Sequence, residues 1–216
     1  MRIALETIDI VTEFKEKASL VSAVIHEAEK IEDAFDIAVS LCNASKDKLC
    51  NIENKLGNPE NKSDNAENKL GNPIESKKKA TIAAPELENS MFELLEKKCR
   101  EKGISLIQNE LRNHTSGIEI GLTFADFGIA ETGTIVVCSD SEDKRLSTMI
   151  SDIHVAVLYR SNIRTTALDM ADELAVLTQR PSSYTAFITG PSRTADIERV
   201  LAIGVHGPLE LHIILL

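Results

Sequence analysis

The chain has 216 residues, with 24 basic and 34 acidic side chains and a net charge of −10. This acidic balance argues against nucleic acid or an anionic membrane surface as the main partner, and the absence of Trp argues against a base-stacking platform. At this length one domain can bury enough surface to fold without disulfides. We therefore expect a single domain over residues 1–216.

The first ten residues include Arg2, Glu6 and Asp9, which break the apolar pattern of a signal peptide, and no apolar run approaches membrane-spanning length. We expect a cytoplasmic protein without a membrane span. The cysteines are widely spaced and form no CxxC or CxxH pair, so the chain offers no zinc or iron–sulfur ligand set. They are Cys42, Cys50, Cys99 and Cys138.

Residues 3–20 carry apolar side chains at helical spacing and predict the first helix. The following stretch has two readings. Its apolar positions would extend one long helix to residue 42, and this pattern is slightly favoured. Residues 20–25 are also β-branched enough for a strand, with a helix over residues 31–42 behind it.

The middle of the chain contains a repeat, because ENKLGNP occurs at residues 53–59 and again at residues 67–73. Asn, Lys, Glu, Gly and Pro dominate this region, which has too few large apolar side chains to offset the cost of ordering. We interpret residues 50–76 as a mobile Asn-rich insertion within the domain. Two copies are too few for a solenoid.

After the insertion, strands and helices alternate. The pattern predicts a strand over residues 80–84, a helix that Pro85 opens and Gly103 ends, and a strand over residues 104–108. Further strands are expected at 118–124, 134–138, 153–158, 185–189 and 209–215, with a helix up to residue 177 and another from residue 194. This alternation predicts an α/β fold with a largely parallel sheet between helical layers.

The sequence ITGPSRTADIE at residues 188–198 is the first candidate site. A strand that ends in a Gly-Pro turn and leads into a helix start would expose backbone N–H groups, and the arginine adds a fork suited to carboxylate or phosphate. We expect this segment beyond the carboxyl end of a sheet strand, where α/β folds bind ligands. The same residues also fit a plain turn, with a helix cap and a surface ion pair. The candidate ligand-binding residues here are Gly190, Pro191, Ser192, Arg193, Thr194 and Asp196.

A second candidate is ADFGIAETGT at residues 125–134. Glu131 could act as a nucleophile, a general base or a hydrogen-bond acceptor, and Thr132 and Thr134 supply hydroxyl groups. Gly133 permits backbone conformations closed to other residues. The alternative is a strand-entry turn with a solvated glutamate.

The third candidate is GVHGP at residues 204–208, in which His206 directly precedes Gly207. This histidine could bind a ligand or act as an acid or base, and the alternative is a turn that merely orients it. His154 lies on an apolar strand beside Asp152 and fits a core or rim histidine whose hydrogen bonds are satisfied. No His pair has helical metal-binding spacing, so we predict no metal site.

These three motifs, in this order and ending in an apolar strand, resemble the LUD-domain family and, within it, the lactate utilization protein C type. The likeness covers residues 80–216 closely and residues 3–43 more loosely, through a helix–strand–helix order. It implies a three-layer α/β/α fold similar to the NagB, ribose-5-phosphate isomerase and CoA-transferase group. It also implies association with oxidation of L-lactate to pyruvate beside two iron–sulfur proteins, with no cluster or other cofactor on this chain.

The leading hypothesis is a subunit or accessory protein of a lactate-oxidising complex, with a pocket for a small carboxylate or phosphorylated metabolite. Arg193 would hold the anion, and Glu131 and His206 would lie nearest the reacting centre. One rival is a stand-alone isomerase or CoA-transferase-like enzyme in which Glu131 is the acid–base group or the nucleophile. Another is a metabolite-binding module without turnover. A homo-oligomer is compatible with each of these.

Overall fold

The computed structural model describes residues 2–56, 79–114, 117–177, 179, 184–194, 202–203 and 206–216. Five α-helices and twelve strands lie in these ranges. The helices are α1 (Arg2–Leu20), α2 (Ile31–Leu56), α3 (Asn89–Glu101), α4 (Glu142–Ser147) and α5 (Ala171–Leu177). The strands are β1 (Ala23–Glu27), β2 (Thr81–Ala83), β3 (Ser105–Ile107), β4 (Ile118–Phe124), β5 (Phe127–Ile129), β6 (Thr134–Ser139), β7 (Ser151–Leu158), β8 (Ile163–Arg164), β9 (Tyr184–Ile188), β10 (Arg193–Thr194), β11 (Ala202–Ile203) and β12 (Glu210–Leu215).

Six strands form the central sheet in the order β1-β12-β7-β4-β2-β3, and every pair in it is parallel. Strand β7 lies between β12 and β4. In this register His154 is opposite Leu211 on one side and Gly121 on the other. Continuous apolar runs suit these positions because both faces of a parallel sheet are covered.

The two faces of the sheet pack on different elements. One face packs against α2 and α3, where Phe35 and Leu95 are fully buried. The other face packs against α1 through Phe14 and Ala18, and against the region around Ile135 on β6. Helices on both faces confirm the expected α/β architecture.

A smaller sheet in the order β8-β5-β6-β9 lies on the α1 side. Its strands β5 and β6 pair antiparallel, as do β6 and β9. The expected largely parallel sheet is confirmed, but residues 134–138 and 185–189 lie outside it and pair antiparallel with each other in the smaller sheet. The physical reason is the short turn at residues 130–133, which can only return the chain antiparallel.

Of the two interpretations of residues 3–42, the long helix that the pattern slightly favoured was wrong. Ser22 adopts a left-handed backbone conformation (φ 68°) directly after α1, and Ala23–Glu27 then pairs with β12. The helix–strand–helix order implied by the family resemblance is the observed one. A left-handed non-glycine residue interrupts a helix, so the apolar stripe continues through two helices and a strand rather than one helix.

Two boundaries differ from the sequence-based expectations. Pro85 begins a turn, with Glu86 in the left-handed conformation, and α3 begins only at Asn89. Helix α2 continues to Leu56, so residues 50–56 of the expected insertion are helical. Residues 57–78, which hold most of that insertion, lie outside the described residues. Gly103 ends α3 as expected, with φ 66° and its N–H donating to the carbonyl of Arg100.

Candidate functional site

A cleft of about 310 Å³ lies where β7 and β12 begin. Residues of the turn before β7, of β9 and of the segments that follow β9 and precede β12 form its walls. The described residues that line it are Thr148, Met149, His154, Tyr184, Ala186, Phe187, Ile188, Thr189, Gly190, Pro191, Ser192, His206, Gly207, Pro208 and Leu211. The cleft therefore contains parts of two of the three motifs.

Backbone hydrogen bonds join these two motif segments to each other and to the central sheet. The N–H of Ser192 donates to the carbonyl of Pro208 at 3.0 Å, and the N–H of Leu209 donates to the carbonyl of Asp152 at 2.8 Å. A Cβ on Gly207 would lie 3.1 Å from the Cβ of Ser192. A residue with a side chain at position 207 would crowd this contact.

The expectation that residues 190–194 lie beyond the carboxyl end of a parallel-sheet strand was wrong. Strand β9, which they follow, belongs to the smaller sheet. The cleft consequently lies at the amino ends of β7 and β12. Thr194 is part of the short strand β10, which pairs with β11. Asp196 and the helix expected to follow Thr194 lie outside the described residues.

The segment at residues 190–193 packs against the end of α1. Gly190 has φ 76°, and a Cβ there would lie 2.2 Å from the carbonyl oxygen of Val21. The Arg193 guanidinium donates from Nη2 to this same oxygen at 3.1 Å and to the hydroxyl of Ser22. A cation at the carboxyl end of a helix is favourable. Arg193 is exposed and does not belong to the cleft lining.

The ETGT motif also packs against α1, at a neighbouring position. Gly133 has φ 64°, and a Cβ there would lie 2.1 Å from the backbone nitrogen of Ala18. The hydroxyls of Thr132 and Thr134 are 2.7 Å apart, and that of Thr134 is 2.8 Å from the Thr189 hydroxyl. The motif itself does not line the cleft. It is connected to the cleft by the hydrogen bond between Thr134 and Thr189, because Thr189 is a lining residue.

Glu131 lies in the exposed part of this turn. Its Oε1 accepts a hydrogen bond from the N–H of Ala167 at 3.1 Å, while its own N–H donates to the carbonyl of Thr165 at 3.1 Å. The carboxylate therefore binds a neighbouring loop. The structure does not bring Glu131 and His206 together in the cleft lining.

His206 is exposed and lies at the mouth of the cleft. It also borders an adjoining depression with Met149, Ile150 and Leu209, which are all at least 41% exposed. An imidazole here can donate a hydrogen bond to a ligand that enters from solvent.

His154 also lines the cleft, although its place on an apolar strand had suggested only a core or rim histidine. It is 1% exposed, and its Nε2 lies 2.8 Å from the Thr123 hydroxyl. Its Nδ1 has no hydrogen-bond partner, so the expectation that all hydrogen bonds of this histidine are satisfied was wrong. Burial lowers the pKa of His154 to about 4, and the ring is therefore neutral at pH 7. No sequence signal identifies this atom, because its environment comes from neighbouring strands.

The described lining contains no Lys, Arg, Asp or Glu and is mostly apolar. Its polar groups are the two histidines, the hydroxyls of Thr148, Tyr184, Thr189 and Ser192, and the backbone. This composition suits a small ligand with an apolar part and few polar atoms. Within the described part of the chain, no group of three or more His, Cys, Asp or Glu side chains could hold a metal ion.

A second cleft, of about 550 Å³, lies at the carboxyl ends of β4 and β7. Lys144, the one lysine in its lining, has its Nζ 3.4 Å from Glu86 Oε2 and 3.9 Å from Asp126 Oδ2. Asp126 also accepts a hydrogen bond from the N–H of Cys138 at 2.7 Å. Lys144 and Asp126 therefore face each other in this cleft, while Glu173 in the same lining pairs with Arg164. None of the motif loops after β9 reaches the cleft.

Comparison with known proteins places these features in a family. The chain is 35% identical over 114 residues to Lactate utilization protein C from Halalkalibacterium halodurans, covering 47% of this chain and 50% of that protein. It is 34% identical over 99 residues to the protein of the same name from Bacillus subtilis, covering 44% and 41%. The matched part spans half or less of these curated relatives.

The fold has a counterpart in a crystal structure of a DUF162 family protein from Deinococcus radiodurans. That structure has a TM-score of 0.53 and 18% sequence identity, with 97% of each chain covered. None of the described helices is long and apolar enough to cross a membrane. The LUD domain family model matches residues 11–216, which include all three motifs and both clefts. The chain belongs to the LUD domain family.

Proposed function

We propose that this protein takes part in L-lactate utilization, as a cluster-free subunit or accessory protein of a system that oxidises lactate to pyruvate. Its cleft at the amino ends of β7 and β12 holds the small carboxylate. The observation that carries the proposal is that loops from two family motifs, at residues 189–192 and 206–208, meet in this cleft. The names of the curated relatives support the metabolic context.

The cleft lining matches the chemistry of a three-carbon acid. Met149, Phe187 and Leu211 offer apolar contacts for a methyl group, and Ser192 and His206 offer hydrogen bonds to a carboxylate at the mouth. We assign Arg193 a structural role instead of the anion contact expected from the sequence. Its guanidinium holds the loop against Val21 and Ser22.

The iron–sulfur chemistry would belong to partner proteins. Cys42, Cys99 and Cys138 lie on α2, α3 and β6, and no two cysteines of the sequence have CxxC spacing. Burial raises the pKa of Cys99 to about 11, which disfavours the thiolate that a cluster needs. This supports a chain that binds substrate or product while electrons pass to another subunit.

Two variants that each fill one cleft test the location of the site. Ala186→Phe places a ring in the cleft at the amino ends, and Val176→Phe, at a 62% exposed position, does so in the cleft at the carboxyl ends. Calorimetric titration with L-lactate, pyruvate and ribose 5-phosphate should show the acids binding to the wild type and to Val176→Phe. Ala186→Phe should lose at least tenfold in affinity, or about 1.4 kcal/mol. Unchanged affinity in Ala186→Phe, or loss only in Val176→Phe, would refute this site.

The metabolic role is tested in the native host. Deleting the gene should abolish growth on L-lactate as sole carbon source, and the wild-type copy should restore it while the Ala186→Phe copy does not. Affinity purification of the tagged wild-type protein from lactate-grown cells should recover iron and acid-labile sulfide on other chains. Normal growth of the deletion strain on lactate would contradict the proposed role.

A further inference from the structure

The Nδ1 atom of His154 is an unpaired polar atom inside the protein. Among the described residues, it is the only buried side-chain nitrogen or oxygen atom that has no hydrogen-bond partner. Buried polar groups are almost always paired, since leaving one unpaired costs stability. The imidazole is 1% exposed and forms part of the cleft wall. An unpaired atom in a residue that lines a cleft points to a hydrogen-bond partner on a bound ligand.

The sheet itself cannot supply this partner. On one side of His154 the register places Gly121, which has no side chain, and on the other side it places Leu211, whose side chain is apolar. Thr123, which lies on the same face as Gly121, already contacts Nε2. His154 and Leu211 both line the cleft, so a ligand bound there is the available source of a partner.

The contact with Thr123 indicates which nitrogen carries the proton. A neutral imidazole has one N–H and one acceptor nitrogen. If the Thr123 hydroxyl donates to Nε2, its hydrogen is used and Nδ1 carries the ring proton. If instead Nε2 donated to Thr123, the hydroxyl hydrogen of this 1% exposed residue would need a further acceptor. The first arrangement satisfies the Thr123 hydroxyl and Nε2, and it leaves Nδ1–H as an unpaired neutral donor in a residue that lines the cleft.

We propose that the Nδ1–H of His154 donates to the keto oxygen of a 2-oxo acid bound in the cleft, so that the site prefers the oxidised acid. This inference rests on the proposed function. The carboxylate would lie at the mouth beside His206, which is exposed, and the neutral keto oxygen would lie against the inner wall. A charged carboxylate oxygen is poorly suited to that inner wall, because a single neutral donor beside apolar side chains does not compensate its desolvation. A 2-hydroxy acid brings an additional hydroxyl hydrogen that must itself find an acceptor.

The protonation state can be measured on the wild-type protein without any ligand. Nitrogen-15 NMR of histidine-labelled protein at pH 7 distinguishes a protonated from an unprotonated ring nitrogen, and the His154→Phe spectrum identifies the signals of His154. We expect a neutral ring with its proton on Nδ1. A proton on Nε2 would overturn the inference while leaving the proposed carboxylate site untouched.

Three acids that differ only at carbon 2 test the contact itself. Pyruvate, L-lactate and propionate carry a keto oxygen, a hydroxyl and no oxygen at that position. In the wild type, pyruvate should bind about tenfold more tightly than propionate, as expected for one buried hydrogen bond, with L-lactate between them. His154→Phe should bind all three acids within about twofold of one another. His154→Asn can place an amide N–H near the position of Nδ1 and should retain part of the preference for pyruvate.

The outcomes separate the inference from the proposed function. If all three acids bind, but equally well to the wild type or with the same preference in His154→Phe, the keto-oxygen contact is wrong and the carboxylate site stands. If none of the three binds the wild type, the carboxylate site is wrong and the inference falls with it. Thermal melting of each variant checks that it is folded, and His154→Asn provides the second reading if His154→Phe does not fold.

Discussion

The N–H of Ser192 donates to the carbonyl oxygen of Pro208 at 3.0 Å, and this bond joins the loop after β9 to the loop before β12. The second loop is in turn attached to β7 through the bond between Leu209 and Asp152. These two hydrogen bonds therefore connect the loop after β9, the loop before β12 and the start of β7 at one wall of the cleft. A change in either loop should be transmitted to the other.

Gly133 should tolerate alanine much less well than Gly103. Both glycines have similar positive φ angles, 64° and 66°, so the backbone strain of an added side chain is similar. A Cβ at Gly133 would collide with the backbone of Ala18, whereas one at Gly103 has nothing within 4 Å. We expect Gly103→Ala to cost about 1–2 kcal/mol and Gly133→Ala about 2–3 kcal/mol more, measured by urea unfolding. Equal losses in the free energy of unfolding would show that the contact with α1 does not exclude a side chain at position 133.

Arg193→Ala should affect stability more than ligand affinity. The variant removes hydrogen bonds to the carbonyl of Val21 and the hydroxyl of Ser22. Because the side chain is exposed, we expect a loss of about 1 kcal/mol or less in the free energy of unfolding, and a change in pyruvate affinity below threefold. Arg193→Lys, which keeps the charge without the fork, should recover only part of the stability. A loss of tenfold or more in affinity at unchanged stability would restore Arg193 as the anion contact.

Stability should fall as the pH is lowered from about 6.5 to about 4, in part because of His154. Burial lowers the pKa of this histidine from 6.5 to about 4, so over that interval the unfolded chain binds a proton that the folded chain does not. The contribution amounts to about 3 kcal/mol in total. Urea unfolding at several pH values should show a shallower dependence for His154→Phe than for the wild type. His26, whose pKa is also lowered by burial and by His212, contributes in the same direction to both proteins and cancels in the difference.

Glu131→Gln should leave carboxylate binding unchanged. The amide oxygen of glutamine can still accept the hydrogen bond from Ala167, so the turn is retained while the negative charge is removed. Incubation of the wild type with acyl-CoA donors, followed by mass spectrometry of the peptide containing Glu131, should show no thioester adduct. Detection of such an adduct, absent from Glu131→Gln, would favour the CoA-transferase-like alternative.

The sequence predicted those elements whose patterns are local. Strand β4 has the predicted bounds, Ile118–Phe124, because its large apolar residues alternate with other residues, as is typical of a strand. Gly103 ended α3 as predicted because a left-handed cap is a local requirement. The end of the first helix was not predictable in this way. The apolar stripe continues beyond Ser22, whereas the helical backbone ends at Leu20.

The site was predictable in its loops but not in its inner wall. The motifs located the segments around Ser192 and Gly207, which do line the cleft. His154 and its partner Thr123 lie on different strands, and their contact depends on a register that no single stretch of sequence encodes. The division into a parallel and a smaller mixed sheet likewise follows from strand pairing, so the edge of the sheet at which the cleft lies could not be predicted.

Gly133 and Gly190 face neighbouring positions near the end of α1, and Arg193 is anchored there as well. The amino-terminal helix contributes no motif residue, yet two of the motifs pack against its carboxyl end. Gly133 and Gly190 are therefore required by the close approach of the helix end, and not by the shape of a ligand. Residues 17–22 should accordingly be treated as part of the site when variants are designed or when the domain is shortened.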